Sequence, residues 1–237
     1  MSDKNTIITI DLGGVNSYLL TVENGFVLVD TGGHLTMDKI FDNRRSKLLE
    51  ALKESGCTKD NLRLILLTHG DNDHTSSAAF LRTHFDAPIA LHPEDLPLVA
   101  NPTTSLWMKS FQYHSPVYKL VFKLLKGKIT RLTQKTLEEF EPFQPDLLLT
   151  NGMRLVEYGI DGEILHLPGH TYGSIGLLLS DGSLIAGDTL ANYGKPSAAV
   201  NALDFNKMYK SIETLRSKSI QKVFPGHGNP FHFNELK

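Results

Sequence analysis

Short apolar runs broken by glycines open the chain. "TIITIDL" (6–12) and "NSYLLTV" (16–22) flank Gly13-Gly14, and "GFVLVDTGG" (25–33) follows. Such β-branched runs, punctuated in this way, predict consecutive strands of an antiparallel meander. Over 36–54, apolar positions fall at Met37, Ile40, Phe41, Leu48, Leu49 and Leu52, the spacing of an amphipathic helix ending near Gly56. "LRLILLT" (62–68) is nearly all apolar and reads as a strand buried on both faces. Thr75, Ser76 or Ser77 would cap a helix to about His84, and "APIALH" (87–92) reads as another strand. Strand patterns resume in "RLVEYG" (154–159), "GEILHL", "SIGLLLS" and "GSLIAGD", with Asp181-Gly182 as a hairpin signal. A helix over 204–217, N-capped by Asp204, and a last strand and loop in "QKVFPGHG" complete the pattern.

Residues 101–146 break that rhythm. Lys109 to Lys135 carries seven Lys or Arg and no Asp or Glu, and "YKLVFKLLKGK" sets apolar residues among lysines as an amphipathic helix does. The segment reads as a helical insertion. It would be a helix packed on the body, a lid with Trp107, Phe111 and Tyr113 as its apolar wall, a membrane-surface contact or a homodimer contact. The 237 residues show no repeats or linkers, so one domain over 1–237 is expected.

Composition changes little. The chain is 41% hydrophobic and 21% charged with net charge −2, which gives no global reason to expect nucleic acid as a partner. Cys57 is the one cysteine, so no intramolecular disulfide forms. The N-terminus lacks a secretory h-region and no apolar run spans a bilayer. A cytoplasmic protein without membrane contact is the expectation.

The chemistry concentrates in "ILLTHGDNDHTSS" (65–77), where a strand runs into His69, Asp71, Asp73 and His74. Three more ionisable residues follow strand patterns, each beside a glycine: His170 in "HLPGHTYGS", Asp188 in "LIAGDTL" and His227 in "VFPGHG". Loops at strand ends on one rim of a sheet are where sites are built. Imidazole and carboxylate both bind zinc and related divalent metals.

The order Thr-His-x-Asp-x-Asp-His, Gly-His-Thr, Gly-Asp-Thr, Gly-His-Gly, with "NSYLL" and "VLVDTGG" upstream, resembles the metallo-β-lactamase superfamily across the chain except 101–146. The resemblance implies an α/β (α+β) four-layer αββα sandwich with two metals along one edge. Position by position, it implies His69, Asp71 and His170 around the first metal and Asp73, His74 and His227 around the second. Asp188 would bridge them, and Asp30 would support the metal loop from behind. The implied activity is hydrolysis of a small ester, thioester or lactone by a metal-bridging hydroxide that Asp73 orients as the catalytic residue.

Most hydrolases of that superfamily carry His where this chain has Asp71. A carboxylate oxygen and His Nδ1 both lie two bonds beyond Cβ, so geometry permits the exchange. The third carboxylate makes the site more anionic and shifts preference toward harder metals, so zinc is the expected metal with iron or manganese the alternatives that Asp71 opens. The flavodiiron branch has a Glu there, which makes an iron-dependent redox protein the alternative; a non-catalytic metal-binding scaffold is a third reading. Hydroxyacylglutathione hydrolases carry a C-terminal helical domain, whereas this chain continues only ten residues past His227. His34, Tyr172 and Tyr193 are candidates to line the cleft. His114 and His232 are candidates to approach it, and His84, His92 and His166 read as structural.

Overall fold

The computed structural model describes residues 5–33 and 43–236. His34 and the expected helical stretch 36–42 lie outside the described residues.

The meander forms as the runs predict: β1 (Ile7–Asp11), β2 (Asn16–Val22) and β3 (Gly25–Val29) pair antiparallel. Helix α1 (Arg44–Glu54) begins where Asn43 accepts a bond from the Ser46 amide. Parallel strands β4 (Leu62–Leu66), β5 (Ile89–Leu91) and β6 (Leu147–Leu148) extend the sheet in the order β1-β2-β3-β4-β5-β6. Between β4 and β5 lie a short helix, α2 (Asn72–Thr75), and α3 (Ala78–Phe85). Ser77 precedes α3 but makes no side-chain capping bond. The second sheet comprises β7 (Gly162–His166), β8 (Ile175–Leu179), β9 (Ser183–Asn192), β10 (Pro196–Ala198), β11 (Lys222–Gly228) and β12 (Phe231–His232). Its order is β12-β11-β9-β8-β7, with β10 on β9.

Alternation along the strands sorts their side chains into three cores. Leu19, Leu28 and Ile65 point outward to Leu48, Leu52, Leu81 and Phe85. Tyr18, Leu20, Val27, Val29, Leu64 and Leu66 point inward to Ile164, Ile175, Leu177 and Ile185 of the second sheet. Leu165, Leu178, Leu184 and Ala186 face Met208, Ile212 and Leu215 of the helix over 205–215. Helix, sheet, sheet, helix is therefore the layer order, as expected.

The insertion is helical, with α4 (Leu96–Ala100) just ahead of it and α5 (Thr104–Trp107) and α6 (Pro116–Glu139) within it. It is tied down by Trp107, whose Nε1–H donates to the Leu98 carbonyl at 3.0 Å, and by Thr133 and Thr136, both buried. Val117, Leu120, Val121 and Leu124, at i, i+3, i+4 and i+7 of α6, are exposed. Helix α7 (Phe205–Leu215) has Asp204 as its N-cap, accepting from the Lys207 amide at 2.9 Å.

Some expectations need correction. "RLVEYG" is not a strand: Val156–Tyr158 is a 3-10 turn closed by Gly159 in the left-handed region. The short apolar pair Leu155-Val156 ahead of Gly159 looks like strand punctuation, but Leu155 is buried while Val156 is exposed, and only tertiary packing separates that from a strand. Asp188 and His227 lie within β9 and β11 rather than after them. Strands β6, β10 and β12, of two or three residues, carry too little pattern to be read from sequence. No helix among the described residues is long and apolar enough to cross a membrane.

Candidate metal centre

The site gathers on one rim. Strands β3 and β4 are parallel and deliver Asp30 and the Thr68-His69 loop to the same edge. Helix α2 carries Asp73 and His74, with Asp71 at its N-cap position. The β7–β8 loop carries His170. In the second sheet, β9 and β11 run parallel with irregular register between Phe224 and His227. Bulges of this kind re-aim side chains, and this one brings His227 against Asp188.

All seven sequence-predicted ligands converge. Asp188 lies at the middle of the group: its carboxylate is 3.1 Å from His227 Nε2, 3.4 Å from His74 Nε2 and 3.5 Å from His170 Nε2. Asp73 Oδ2 is 3.5 Å from His227 Nε2 and 3.8 Å from His74 Nε2. Asp71 Oδ2 is 3.2 Å from His170 Nε2. The His69 ring centre is 4.3 Å from that of His74 and 4.8 Å from that of His170. Among the described residues, three groups have ligand atoms all within 4.8 Å of one another: His69, His170 and Asp188; Asp73, His74 and His227; and Asp30, His69 and His74.

The polar atoms left without partners support a metal site. His69 Nε2, His74 Nε2 and Asp188 Oδ1 are buried with no hydrogen-bond partner. Buried polar atoms are nearly always paired, because leaving one unpaired costs roughly 1–3 kcal/mol. Three such atoms, two imidazole nitrogens and a carboxylate oxygen, turned toward one another form a donor set suited to divalent cations.

The opposite ring nitrogens are already committed, which orients each imidazole. His69 Nδ1 is 2.9 Å from Thr68 Oγ1, His74 Nδ1 is 3.0 Å from Asp30 Oδ2, and His170 Nδ1 is 3.0 Å from the Asn201 carbonyl. His227 Nδ1 bonds the Gly14 carbonyl. Asp30 also accepts from the amide and hydroxyl of Thr68, both at 2.8 Å. It is buried and its φ is +59°, an uncommon region for a residue with a Cβ. These three donors tie Asp30 to Thr68 and His74, between the β4 end and α2.

Other contributors carry no local sequence signal. Buried Asp95, in the turn ahead of α4, accepts from the Gly70 and Gly173 amides, each at 2.7 Å, and from the Thr171 hydroxyl at 2.6 Å. It thereby ties the His69 loop to the His170 loop. Ser110, in the insertion, donates to Asp71 Oδ1 at 3.0 Å, and its carbonyl accepts from Asn201 Nδ2 at 3.1 Å. Since Asn201 also holds His170, Asp71, Ser110, Asn201 and His170 close a ring of bonds around the one position where the ligand type departs from the family pattern. Asn16 Nδ2 and the Tyr18 hydroxyl both donate to the Pro225 carbonyl, at 3.0 Å and 2.6 Å, and hold the His227 segment against the first sheet.

Gly226 is fixed by this packing. A Cβ built there falls on Asp188 Oδ1 and 2.9 Å from His74 Cε1. Gly226→Ala is expected to displace the Asp188 carboxylate and to cost about 1–3 kcal/mol through overpacking. Denaturant unfolding together with metal content would check it; unchanged metal content would contradict the packing argument.

The charges determine how the metal-free site behaves. Burial works against charging His170, but the Asp71 hydrogen bond, then Asp188 and the Asn201 carbonyl, outweigh it and lift its pKa to about 9. Burial opposes charging His74 too, yet Asp188, Asp73 and Asp30 raise it well above the usual value. His227 is raised against its burial by Asp188 and Asp73. His69 is held well below, by burial and then by the charge on His74. A metal needs neutral imidazole, so uptake must expel the protons from the raised histidines. Metal affinity is therefore expected to fall as pH drops below about 9, roughly tenfold per unit for each proton released. The metal-free fold responds in the opposite sense. Because the folded pKa of His170 lies above its ordinary value, the stability it contributes is complete below about 6.5 and lost as pH rises through about 9. Metal titrations and metal-free unfolding curves at pH 6, 7, 8 and 9 check both signs.

The ligands open onto a cavity of about 470 Å³ whose other walls include Trp107, Phe111 and Tyr113, the insertion residues expected to face the cleft. Tyr193 also lines it, its ring centre 5.9 Å from that of His227. Tyr172 is exposed and outside that lining. His114 faces Tyr209 instead, His232 is exposed on β12, His92 stacks on His166, and His84 packs on Phe80.

Comparison with known proteins agrees with this geometry. The family model for the metallo-beta-lactamase superfamily matches residues 10–227. A probable metallo-hydrolase of Methanocaldococcus jannaschii is 28% identical over 217 residues, 90% of this chain and 87% of that protein. The hydroxyacylglutathione hydrolase GloC of Haemophilus influenzae is 26% identical over 87% of this chain and 82% of its own length. Among solved structures, a metallo-beta-lactamase family protein of Thermus thermophilus superposes with TM-score 0.70 at 24% identity, covering 97% of this chain and 75% of that one. TTHA1623, solved in a di-iron-bound form, superposes with TM-score 0.61 at 25% identity, covering 97% and 96%.

Proposed function

The chain belongs to the metallo-beta-lactamase superfamily and is a hydrolase of that superfamily, and from that premise we propose that it uses two divalent metal ions to cleave a small ester, thioester or lactone. The observation that carries the reading is Asp188, its carboxylate set among three imidazole Nε2 atoms while His69 Nε2 and His74 Nε2 lack any other partner. His69, Asp71 and His170 would hold one ion, Asp73, His74 and His227 the other, and Asp188 would touch both. When bound, such ions supply Lewis acidity and bring the pKa of a water down toward 7.

The chain's own groups do the rest. Asp73 is about one-third exposed at its side chain, the most open of the carboxylates here, and it faces the cavity. It is placed to hold the attacking water by hydrogen bond and to take its proton. Ser110 keeps one oxygen of Asp71 occupied, leaving the other oxygen for the first metal. The Trp107 and Phe111 wall excludes bulk water from that side of the cavity. The Haemophilus influenzae relative, named a hydroxyacylglutathione hydrolase, is matched over most of its length. Thioesters therefore head the substrate panel.

The test is elemental analysis of untagged protein expressed without added metal, then a panel of esters, thioesters and lactones. About two zincs per chain and turnover of a panel member are expected. Metal-loaded protein that cleaves none of them would overturn the reading. A second reading has its own support. Asp71 adds a third carboxylate to the site, and the similar TTHA1623 has been solved with two irons. Two irons per chain, with oxygen consumption or visible absorption in protein purified without air exposure, would favour redox chemistry.

A further inference from the structure

The cavity at the metal residues does not end at the insertion wall. A second cavity of about 620 Å³ lies between α6 and the β9–β10 turn. It shares four lining residues with the first: Tyr113, Ile129, Tyr193 and Val200. Adjoining at these residues, the two line a bore, open to solvent, along α6. Its shared and outer walls are mostly apolar and aromatic, whereas Asn72, Ser110, Thr133, Thr136 and Asn201 also line the inner part. Phe111 stacks on Phe122 at 5.8 Å between ring centres, and Tyr113 packs on Phe122 at 5.9 Å.

Among the described lining residues, charge in the bore is confined to its two ends. Their carboxylates, Asp71, Asp73 and Asp188, are all on the metal side. Apart from the histidines, the cations among the described lining residues are Arg44 and Lys195. Arg44 is committed, donating through Nε to the Leu12 carbonyl at 3.0 Å and through Nη2 to the Gly13 carbonyl at 2.8 Å. Lys195 lines only the outer cavity. A carboxylate-bearing group placed midway would lose its hydration and find no counter-charge among the described lining residues, whereas a hydrocarbon chain loses nothing there.

We propose that this bore takes the unbranched apolar acyl chain of the substrate, so that the hydrolase acts on medium-chain acyl esters, thioesters or lactones. The acyl carbonyl sits at the metal residues and the chain runs between α6 and the β9–β10 turn. Hydrolysis adds water across the acyl–oxygen or acyl–sulfur bond and releases the fatty acid and an alcohol or thiol; a lactone opens to one hydroxy acid. The assignment rests on the hydrolase reading above and adds the identity of the acyl group.

The test has two independent readouts on the metal-loaded protein: kcat/KM across straight-chain acyl thioesters of one small uncharged thiol, from two to twelve carbons, and calorimetric binding of dodecanol, which cannot be hydrolysed. A methylene moved from water into an apolar bore is worth about 0.8 kcal/mol, or roughly fourfold in kcat/KM, so the series should climb steeply until the bore is full. Ile129→Trp, which narrows the bore while keeping it apolar, should move the optimum to shorter chains and weaken dodecanol binding. Val200→Asp should flatten the series. Cleavage of short thioesters with a flat series and no dodecanol binding would overturn the acyl assignment and leave the hydrolase reading standing. Dodecanol binding that Ile129→Trp weakens, with no thioester, ester or lactone cleaved, would overturn the hydrolase reading while upholding the bore as a chain site.

Discussion

Asp188→Asn is expected to remove most of the activity and at least one metal ion per chain. On the two-metal reading this carboxylate is the group common to both ions, and its neighbours are three imidazoles at 3.1 to 3.5 Å. The amide matches it in shape but lacks the charge, so each ion loses an anionic ligand at once. Losing a group that only supports a ligand costs about 10–100-fold in metal affinity, so losing the shared ligand itself should exceed that. Turnover should fall on the order of a thousandfold or more, since transition-state charge is no longer matched by a fixed pair of cations. The variant also carries an internal check. Asp188 contributes to the raised pKa values of His74, His170 and His227. Without its charge all three should titrate lower in the metal-free protein, which NMR of the ring protons would detect. Two metals per chain and near-normal turnover in Asp188→Asn would remove the basis of the proposed centre.

Asp95→Ala is expected to show the largest loss of stability. Its carboxylate is buried and receives three donors, two backbone amides and one hydroxyl, from the two loops that carry His69 and His170. Truncation leaves both amides buried without partners at about 1–3 kcal/mol each, while the Thr171 hydroxyl keeps Ser174 Oγ at 2.8 Å, so a loss of at least ~2 kcal/mol follows. For a chain of this size that corresponds to roughly 4–8 °C in Tm. Because the loops are joined through this group, metal content should fall as well. Asp95→Asn should not rescue it, because the new NH2 would meet donors where acceptors are needed. Burial pushes the Asp95 carboxyl up to about 6, against the lowering effect of Thr171, Gly173 and Gly70. A carboxyl raised in the fold binds its proton more tightly there than when unfolded. Its contribution thus favours the fold at low pH and is lost as pH rises through about 6. Thermal unfolding of wild type and variant from pH 4.5 to 7.5 checks magnitude and sign; an unchanged Tm for Asp95→Ala would refute the linkage.

Much of the architecture was legible because it rests on local periodicity. The first three strands, the buried run at 62–68, the Asp204-capped helix and the change of character at 101–146 each follow from spacing and punctuation within a few residues. The residues that gather at the candidate site were legible for a related reason. Four of them crowd one turn, 69–74, and the other three lie beside glycines where backbones must approach closely, as Gly226 does against Asp188. The false strand at 154–159 marks the limit of such reading, since a short apolar pair ended by glycine is also what a half-buried turn presents.

The sequence by itself determined which side chains could serve a metal and in what chain order they come. Only the tertiary structure decided how they meet. The distance from Asp188 to His74, His170 and His227 is set by two sheets packing across one core, and no local pattern encodes it. The supporting groups are also long-range. Asp95 reaches loops 25 and 78 residues away, and Ser110 reaches an aspartate 39 residues away. The apolar bore arises where α6 is laid beside the β9–β10 turn. Burial and pairing belong to the packed surface, and the chain specifies that surface only through all of its contacts together.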